Sequence, residues 1–232
     1  MLGERVFKII MNIICVVLLY SILLGPDCDF LDTWIGGRTK HPLYFYNHPC
    51  QKVPLRLDDF YVFKLSYHCY ELLHTLILDR KRTDFLEYAL HHFLTFSLIL
   101  FSYVLNYLPV GASVMILHDM TDLGASIFKL TIDVTPFFIQ MCGYSTMLVS
   151  WIYFRLWFFP MKVIGRIIEE SQNWHGSAIN LNFIAMLTCF LIILFFMHIF
   201  WFYLMIKGLL RRLQMSNYKE QVSLANSENR SE

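Results

Sequence analysis

Histidine and aspartate stand together at two places in stretches that otherwise have the composition of lipid-facing helix. One is His91-His92 in EYALHHFLTFSLILFSYVLNY, the other His118-Asp119 with Asp122 in VGASVMILHDMTDLGASIFKL. An ionisable group at bilayer depth costs free energy, so such side chains are retained for chemistry, transport or pairing. A histidine supported by a carboxylate network accepts a proton from an attacking amine or hydroxyl. Imidazole can equally take an acyl group as a nucleophile. Hydrogen bonding that merely fixes helix packing is the competing reading, and two His with two Asp at these spacings count against it.

At helical spacing Tyr88, His92, Thr95, Ile99, Ser102 and Asn106 trace one face. Gly111, Met115, His118, Asp122, Ser126 and Lys129 trace a second, with Asp119 one step around. His118 and Asp122 stand at i and i+4, where side chains touch. The two stripes are joined only by Leu108-Pro109-Val110, so they are predicted to face each other across a short hairpin. Arg155 reads either as a counter-ion to a carboxylate, or clamp on an acyl oxygen, or as a cation snorkelling to the interface beside Phe159-Pro160. Lys64, His68 and Glu71 are expected to pair between helices, with a polar route to the site as the alternative, and His198 to be a satisfied packing residue among aromatics rather than a ligand. Adjacent histidines on a helix point about 100° apart, so His91 and His92 do not easily share an ion. No metal and no bound cofactor is expected.

These residues need elements to hold them. The chain has 232 residues, of which 56% are hydrophobic and 16% charged, too apolar for an ordinary soluble domain. It reads as an all-α, polytopic membrane protein with spans near 6–24, 60–78, 86–107, 110–130, 136–159 and 181–206. The second and fourth are the least hydrophobic. An Asp at mid-membrane costs roughly 2.5–3.5 kcal/mol against about 0.3–0.6 returned per Leu, Ile or Phe, so 110–130 must be a central helix facing protein or a water-filled cavity. The same reasoning turns Lys64, His68, Glu71 and His74 inward.

Net charge is +1, which points to no nucleic-acid partner. Six spans put Arg5 and Lys8, Arg80-Lys81-Arg82, and Lys207 with Arg211 and Arg212 on one side, cytoplasmic or matrix-facing by the positive-inside rule. Arg38, Lys40, Lys52 and Arg56 in the first loop pull the other way. The first apolar stretch is long and lacks a small-residue cleavage site before Gly25-Pro26, so it reads as the first span. Loop 25–59, rich in Pro and aromatics, is expected to form an irregular interfacial cap. Cys28 and Cys50 share it and would bridge in an oxidising lumen, although spacing favours the unbridged state. Residues 1–215 are expected to form one transmembrane domain, and 216–232 a polar tail that is mobile in isolation.

Several of these residues fall into a known pattern. Asp79-Arg80-Lys81-Arg82-Thr83-Asp84-Phe85, His91-His92 with Thr95, Phe101-Ser102-Tyr103 with Asn106, Gly111, His118-Asp119 with Asp122, Lys129, Arg155 with Phe159-Pro160, and the run from His198 to Leu204 resemble the TLC-domain membrane proteins, and within them the Lag-type ceramide synthases. Spacing is kept across residues 60–206. The resemblance implies a bundle of six transmembrane helices around a polar cavity, and N-acylation of a sphingoid base with a fatty acyl-CoA as co-substrate. His91 would carry or activate the acyl group, with His92, His118, Asp119 and Asp122 as base and orienting partners. Thr95, Ser102, Asn106, Ser126, Lys129 and Arg155 would support the site. Arg80, Lys81 and Arg82 would attract CoA phosphates, unless they serve topology alone.

By the same resemblance the partners are membrane lipids, acyl-CoA and sphingoid base, in a homo-oligomer or larger membrane complex. The membrane would be the endoplasmic reticulum, with the mitochondrial inner membrane left open. This chain departs from the ceramide synthase pattern at Ser126, where a Glu is usual, and at Gly124-Ala125, where a bulkier pair is usual. By this comparison the chain is expected to be a minimal TLC core, without the additional amino-terminal span, homeobox-like region and acidic carboxyl-terminal motif of many animal members. Those departures keep a second expectation alive: a non-catalytic TLC core acting as a lipid-binding or structural subunit of a larger assembly.

Overall fold

Apolar runs without strand-like alternation wind into helices, because a helix satisfies its backbone polar groups internally. The computed structural model describes residues 2–25, 28–40, 43–131, 136–173 and 176–228, with side chains at all of these except 2, 4, 130, 131 and 216–228. The helices are α1 (Leu2–Leu23), α2 (Leu57–Ile77), α3 (Phe85–Val104), α4 (Leu108–Thr131), α5 (Phe137–Trp151), α6 (Gly165–Gln172) and α7 (Ala178–Glu228). A π-helical segment, Ile152–Ile164, joins α5 to α6 without a break. Among the described residues the remaining regular structure is one turn of 3-10 helix and an isolated bridge between Asp32 and Thr39.

Four helical stretches are long and apolar enough to cross a bilayer: Arg5–Leu23, Phe85–Val104, Phe137–Gln172 and Ala178–Met215. The chain is an all-helical integral membrane protein. The other two expected spans fold as helices α2 and α4 but fall outside that group, in keeping with the charges they carry. α4 is flanked by α1, α5, the π segment and α3, while α2 packs on α3 and α7 on α3 and the π segment.

Local sequence sets the boundaries that matter for the site. Asp58 and Asp59 occupy the first turn of α2, where the helix dipole favours negative charge. Ahead of α3, Arg82 forks onto Asp84 at 2.9 and 3.0 Å and lies 4.4 Å over the Tyr88 ring. The guanidinium holds the Asp84 carboxyl below its usual range, with partial burial opposing. Just past the end of α3 stands Asn106, whose left-handed φ of 57° is one that asparagine tolerates. The amide of Tyr107 then donates back to Ser102 O at 2.7 Å, closing a Schellman-type cap and turning the chain into α4.

Gly111 of α4 lies against Tyr61 of α2 and Ser102 of α3. A Cβ there would collide with the Tyr61 hydroxyl and with Ser102 Oγ. Gly111→Ala gains about 1 kcal/mol of helix propensity but overpacks the crossing at a cost of about 1–3 kcal/mol. We expect a net destabilisation, read as a lower midpoint of thermal unfolding in detergent; an unchanged or raised midpoint would show that the helices part easily here.

The first loop is irregular; Phe30, Leu31, Ile35, Tyr44 and Phe45 are buried, whereas Trp34, Leu43, Tyr46 and Leu55 are exposed. Glu170 of α6 receives the backbone amides of Tyr44 and Phe45, each at 3.0 Å. His48 stacks on Tyr107 with ring centroids 4.6 Å apart and bonds Leu105 O at 3.0 Å. Gln51 donates to Asn106 O, and the Asn106 side chain donates to Pro49 O. Cys28 is a buried and Cys50 an exposed free thiol.

Two basic clusters share one end of α4. Arg5 donates to Lys129 O at 3.0 Å, and Arg212 lies 6.0 Å over Phe128. The backbone of α7 stays helical into the region expected as a tail; residues 229–232 and the side chains from 216 onward lie outside the described residues.

Candidate active site

α2, α3, α4 and α7 line a cavity of about 60 Å³. Its polar lining comes from Lys64 and His68 of α2, His91, Thr95 and Ser102 of α3, and His118, Asp119 and Asp122 of α4. The apolar wall is Leu98, Ile99, Val110, Val114, Met115, Leu187, Leu191 and Leu194.

The carboxylates are held by cations from other helices. Lys64 Nζ lies 2.6 Å from Asp119 Oδ1, with Lys64 2% and Asp119 5% exposed. This is the inter-helix pairing expected of Lys64. Asp119 Oδ2 is buried and has no hydrogen-bond partner. Asp122 pairs with Arg155 Nη2. Arg155 is 1% exposed; it also donates from Nε to Thr121 Oγ1 at 2.6 Å and from Nη2 to His118 O at 3.3 Å, and stacks 4.3 Å over Trp151. Arg155 is therefore a counter-ion and does not snorkel. Its π-helical backbone carries it inward: Pro160 offers no N–H to an i→i−4 ladder, and the wider π turns absorb that break.

The contact expected between His118 and Asp122 is replaced. With Asp122 turned to Arg155, the His118 ring uses Nδ1 on Val114 O at 2.8 Å and Nε2 on His198 Nε2 at 3.1 Å. Both ring nitrogens are occupied. His198, fully buried, also packs edge-on to Trp151, which donates to its backbone carbonyl at 3.3 Å.

The adjacent histidines of α3 part company. His91 lines the cavity, packs edge-on to Trp201 at 4.9 Å, and has a buried Nδ1 without a partner. His92, on the polar stripe, is turned instead toward Glu71, with Nε2 3.9 Å from the carboxylate, too far for a hydrogen bond. Its other close neighbour is the Tyr88 ring, centroids 4.4 Å apart, and neither ring nitrogen has a hydrogen-bond partner.

The supporting residues divide. Thr95 and Ser102 line the cavity while donating to the backbone of their own helix, at His91 O and Ile99 O. Arg155, described above, and three others do not line it. Asn106 is engaged with the first loop, Ser126 accepts from Asn12 Nδ2 of α1 at 2.9 Å, and Lys129 sits exposed at the end of α4. Of the basic run between α2 and α3, Arg80 donates to Leu76 O, Arg82 is committed to Asp84, and Lys81 is exposed. Among the described residues no group of three or more His, Cys, Asp or Glu is placed to hold a metal.

Sequence reasoning understated His68 and His198. His68 stands four residues after Lys64, so the shared helix face was the available signal. His198 meets a residue 80 positions away, and nothing in its local sequence marks that.

The family model for the TLC domain matches residues 2–207, nearly the whole chain. The chain belongs to the TLC-domain family. Among curated relatives, this TLC-domain protein is 31% identical over 209 residues to ceramide synthase 4 of Mus musculus, covering 88% of the chain and 50% of the relative. It is 32% identical over 196 residues to ceramide synthase 4 of Bos taurus, covering 82% and 48%. To ceramide synthase LOH2 of Arabidopsis thaliana it is 27% identical over 212 residues, covering 84% and 68%. It thus spans about half the length of the two ceramide synthase 4 relatives.

Proposed function

We propose that this TLC-domain protein is a ceramide synthase-type N-acyltransferase. Six helices, α1 to α4, the α5–π–α6 rod and α7, would cross the membrane around the polar cavity, forming one domain over 1–215 with 216–232 appended. The observation that carries the reading is His91: an imidazole with an unpartnered, buried Nδ1 on a cavity that also holds two cation–carboxylate pairs and a wall of aliphatic side chains. The aliphatic wall gives a hydrocarbon chain an apolar surface to lie against beside the imidazole.

In the reaction the amine nitrogen of the sphingoid base bonds to the acyl carbonyl carbon, the thioester C–S bond breaks, and CoA leaves. Two routes fit His91. As a general base it takes the amine proton and returns it to the departing thiolate. As a nucleophile it first accepts the acyl group from the thioester and then yields it to the amine. In either route the neighbouring charges are already neutralised in pairs, Lys64 with Asp119 and Arg155 with Asp122, so the imidazole works in a site without net charge from those four groups. His118 has both nitrogens engaged and acts as support; Asp119 Oδ2 keeps an open acceptor position. Arg80 and Lys81 are the basic residues left to meet CoA phosphates, since Arg82 is forked onto Asp84. The membrane would be that of the endoplasmic reticulum.

The missing Glu at Ser126 bears little on this reading, because Ser126 works at the α1–α4 contact away from the cavity lining. Purified protein in lipid nanodiscs, given labelled fatty acyl-CoA and a sphingoid base, is expected to form labelled ceramide and release CoA thiol in equal amounts. Folded protein that yields neither across a range of acyl lengths would overturn the enzyme and leave the cavity as the lipid site of a non-catalytic subunit.

A further inference from the structure

We infer that His198 is a positioning residue of the site, which donates its Nε2–H to His118 Nε2 and so holds His118 as the neutral, Nδ1-protonated tautomer. The assignment follows from hydrogen-bond bookkeeping. Val114 O can only accept, so His118 Nδ1, 2.8 Å away, must carry a proton. In a neutral ring its Nε2 is then an acceptor, and the atom 3.1 Å from it, His198 Nε2, must be the donor. An Nδ1–H on His198 would have no acceptor, since that atom is buried with no partner, so His198 is neutral and its Nδ1 unprotonated.

The alternative, a doubly protonated His118 donating to His198, is excluded by its surroundings. The π segment presents Arg155, whose guanidinium donates to the carbonyl of His118 itself at 3.3 Å, and α2 presents Lys64 to the same cavity. The carboxylates beside them are taken, Asp122 by Arg155 and Asp119 by Lys64. His91 of α3 and His198 of α7 add no anion. An imidazolium here would be a third buried cation with no counter-charge.

His198 does not line the cavity and reaches it only through His118. Its consequence is orientation. With both ring nitrogens bonded, His118 presents carbon to the cavity and leaves the reacting substrate to His91. Without the donor from α7, a buried lone pair is left seeking a partner, and the ring turns toward the cavity to find one.

The tautomer stands on the geometry alone, whereas its effect on turnover rests on the acyl-transfer reading above. The test therefore has two arms. Full-length protein with ¹⁵N-labelled histidine rings, in lipid bilayers, is measured by solid-state NMR, with the His118 signals assigned by difference from His118→Gln. The expected spectrum has His118 Nδ1 protonated, Nε2 unprotonated, and a nitrogen–nitrogen coupling from that Nε2 to the protonated Nε2 of His198. A protonated His118 Nε2, or no coupling, would overturn the inference whatever the activity.

In the second arm His198→Leu, which cannot donate, is expected to lower kcat roughly tenfold with KM for acyl-CoA within about twofold of wild type. His198→Gln keeps an N–H near the same point and is expected to restore kcat. Wild-type kcat in His198→Leu, or no rescue by His198→Gln when both are folded, would overturn the positioning role. Failure of the wild type to form ceramide would remove the acyltransferase reading and leave the first arm to decide the tautomer.

Discussion

His91→Ala is expected to lower ceramide formation by about 10²–10⁴-fold, the contribution typical of a positioned proton acceptor, with kcat absorbing the loss. The expectation is specific because the site makes His91 dispensable for stability. Its Nδ1 is unpartnered, so truncation there strands no hydrogen-bond partner, and the ring contacts given up are the edge-on ones with Trp201 and His92. Helix content and unfolding midpoint should stay close to wild type. The paired control is Ser126→Ala, which removes an acceptor at the α1–α4 contact and should leave turnover within about twofold, because Ser126 lies off the cavity. Activity retained in His91→Ala would move the chemistry to another residue of the cavity.

Lys64→Met should do the reverse, costing stability first. The pair it breaks is buried on both sides, and the carboxylate of Asp119 already has one oxygen without a partner. Removing one member of a buried pair typically costs about 3–5 kcal/mol, because an uncompensated charge is left behind. Replacing both members with apolar residues of similar volume is often neutral. The double variant Lys64→Met/Asp119→Leu is therefore expected to recover most of the lost stability while remaining inactive. A double-mutant cycle of unfolding free energies in detergent measures the coupling. If Lys64→Met alone is neutral, Asp119 is protonated in the folded protein and the pair is not ionic.

The geometry of the site was legible from the sequence to an uneven degree. Two polar stripes at helical spacing, on α3 and α4, do supply Thr95, Ser102, His118 and Asp122 to one cavity, because both helices are regular and helical phase is enough to place a residue on a face. The stripe also selected His92 over His91. Phase separates those neighbours by about 100°, and which of them meets the cavity depends on how α2 and α7 pack against α3. Hydropathy marked the helices but not the partners of their charges. The i, i+4 relation offered His118 to Asp122; the structure satisfies Asp122 with Arg155, from a segment whose π turns displace the side-chain phase that a regular helix would give. The stripe also ran past the end of its helix. Asn106 has left-handed backbone and belongs to the loop, while Ser126 and Lys129 sit where α4 has passed beyond the cavity.

Glu170 grips the first loop by its backbone. Both carboxylate oxygens receive main-chain amides, those of Tyr44 and Phe45, so the clasp is indifferent to the side chains at these positions. The attachment between α6 and the loop is written in only one of its two partners. Any residue that keeps its N–H can stand at 44 or 45 as far as this bond is concerned, and proline alone cannot. For this one bond the loop can change its side chains without losing the clasp, whereas the acid at 170 cannot be exchanged for an apolar residue.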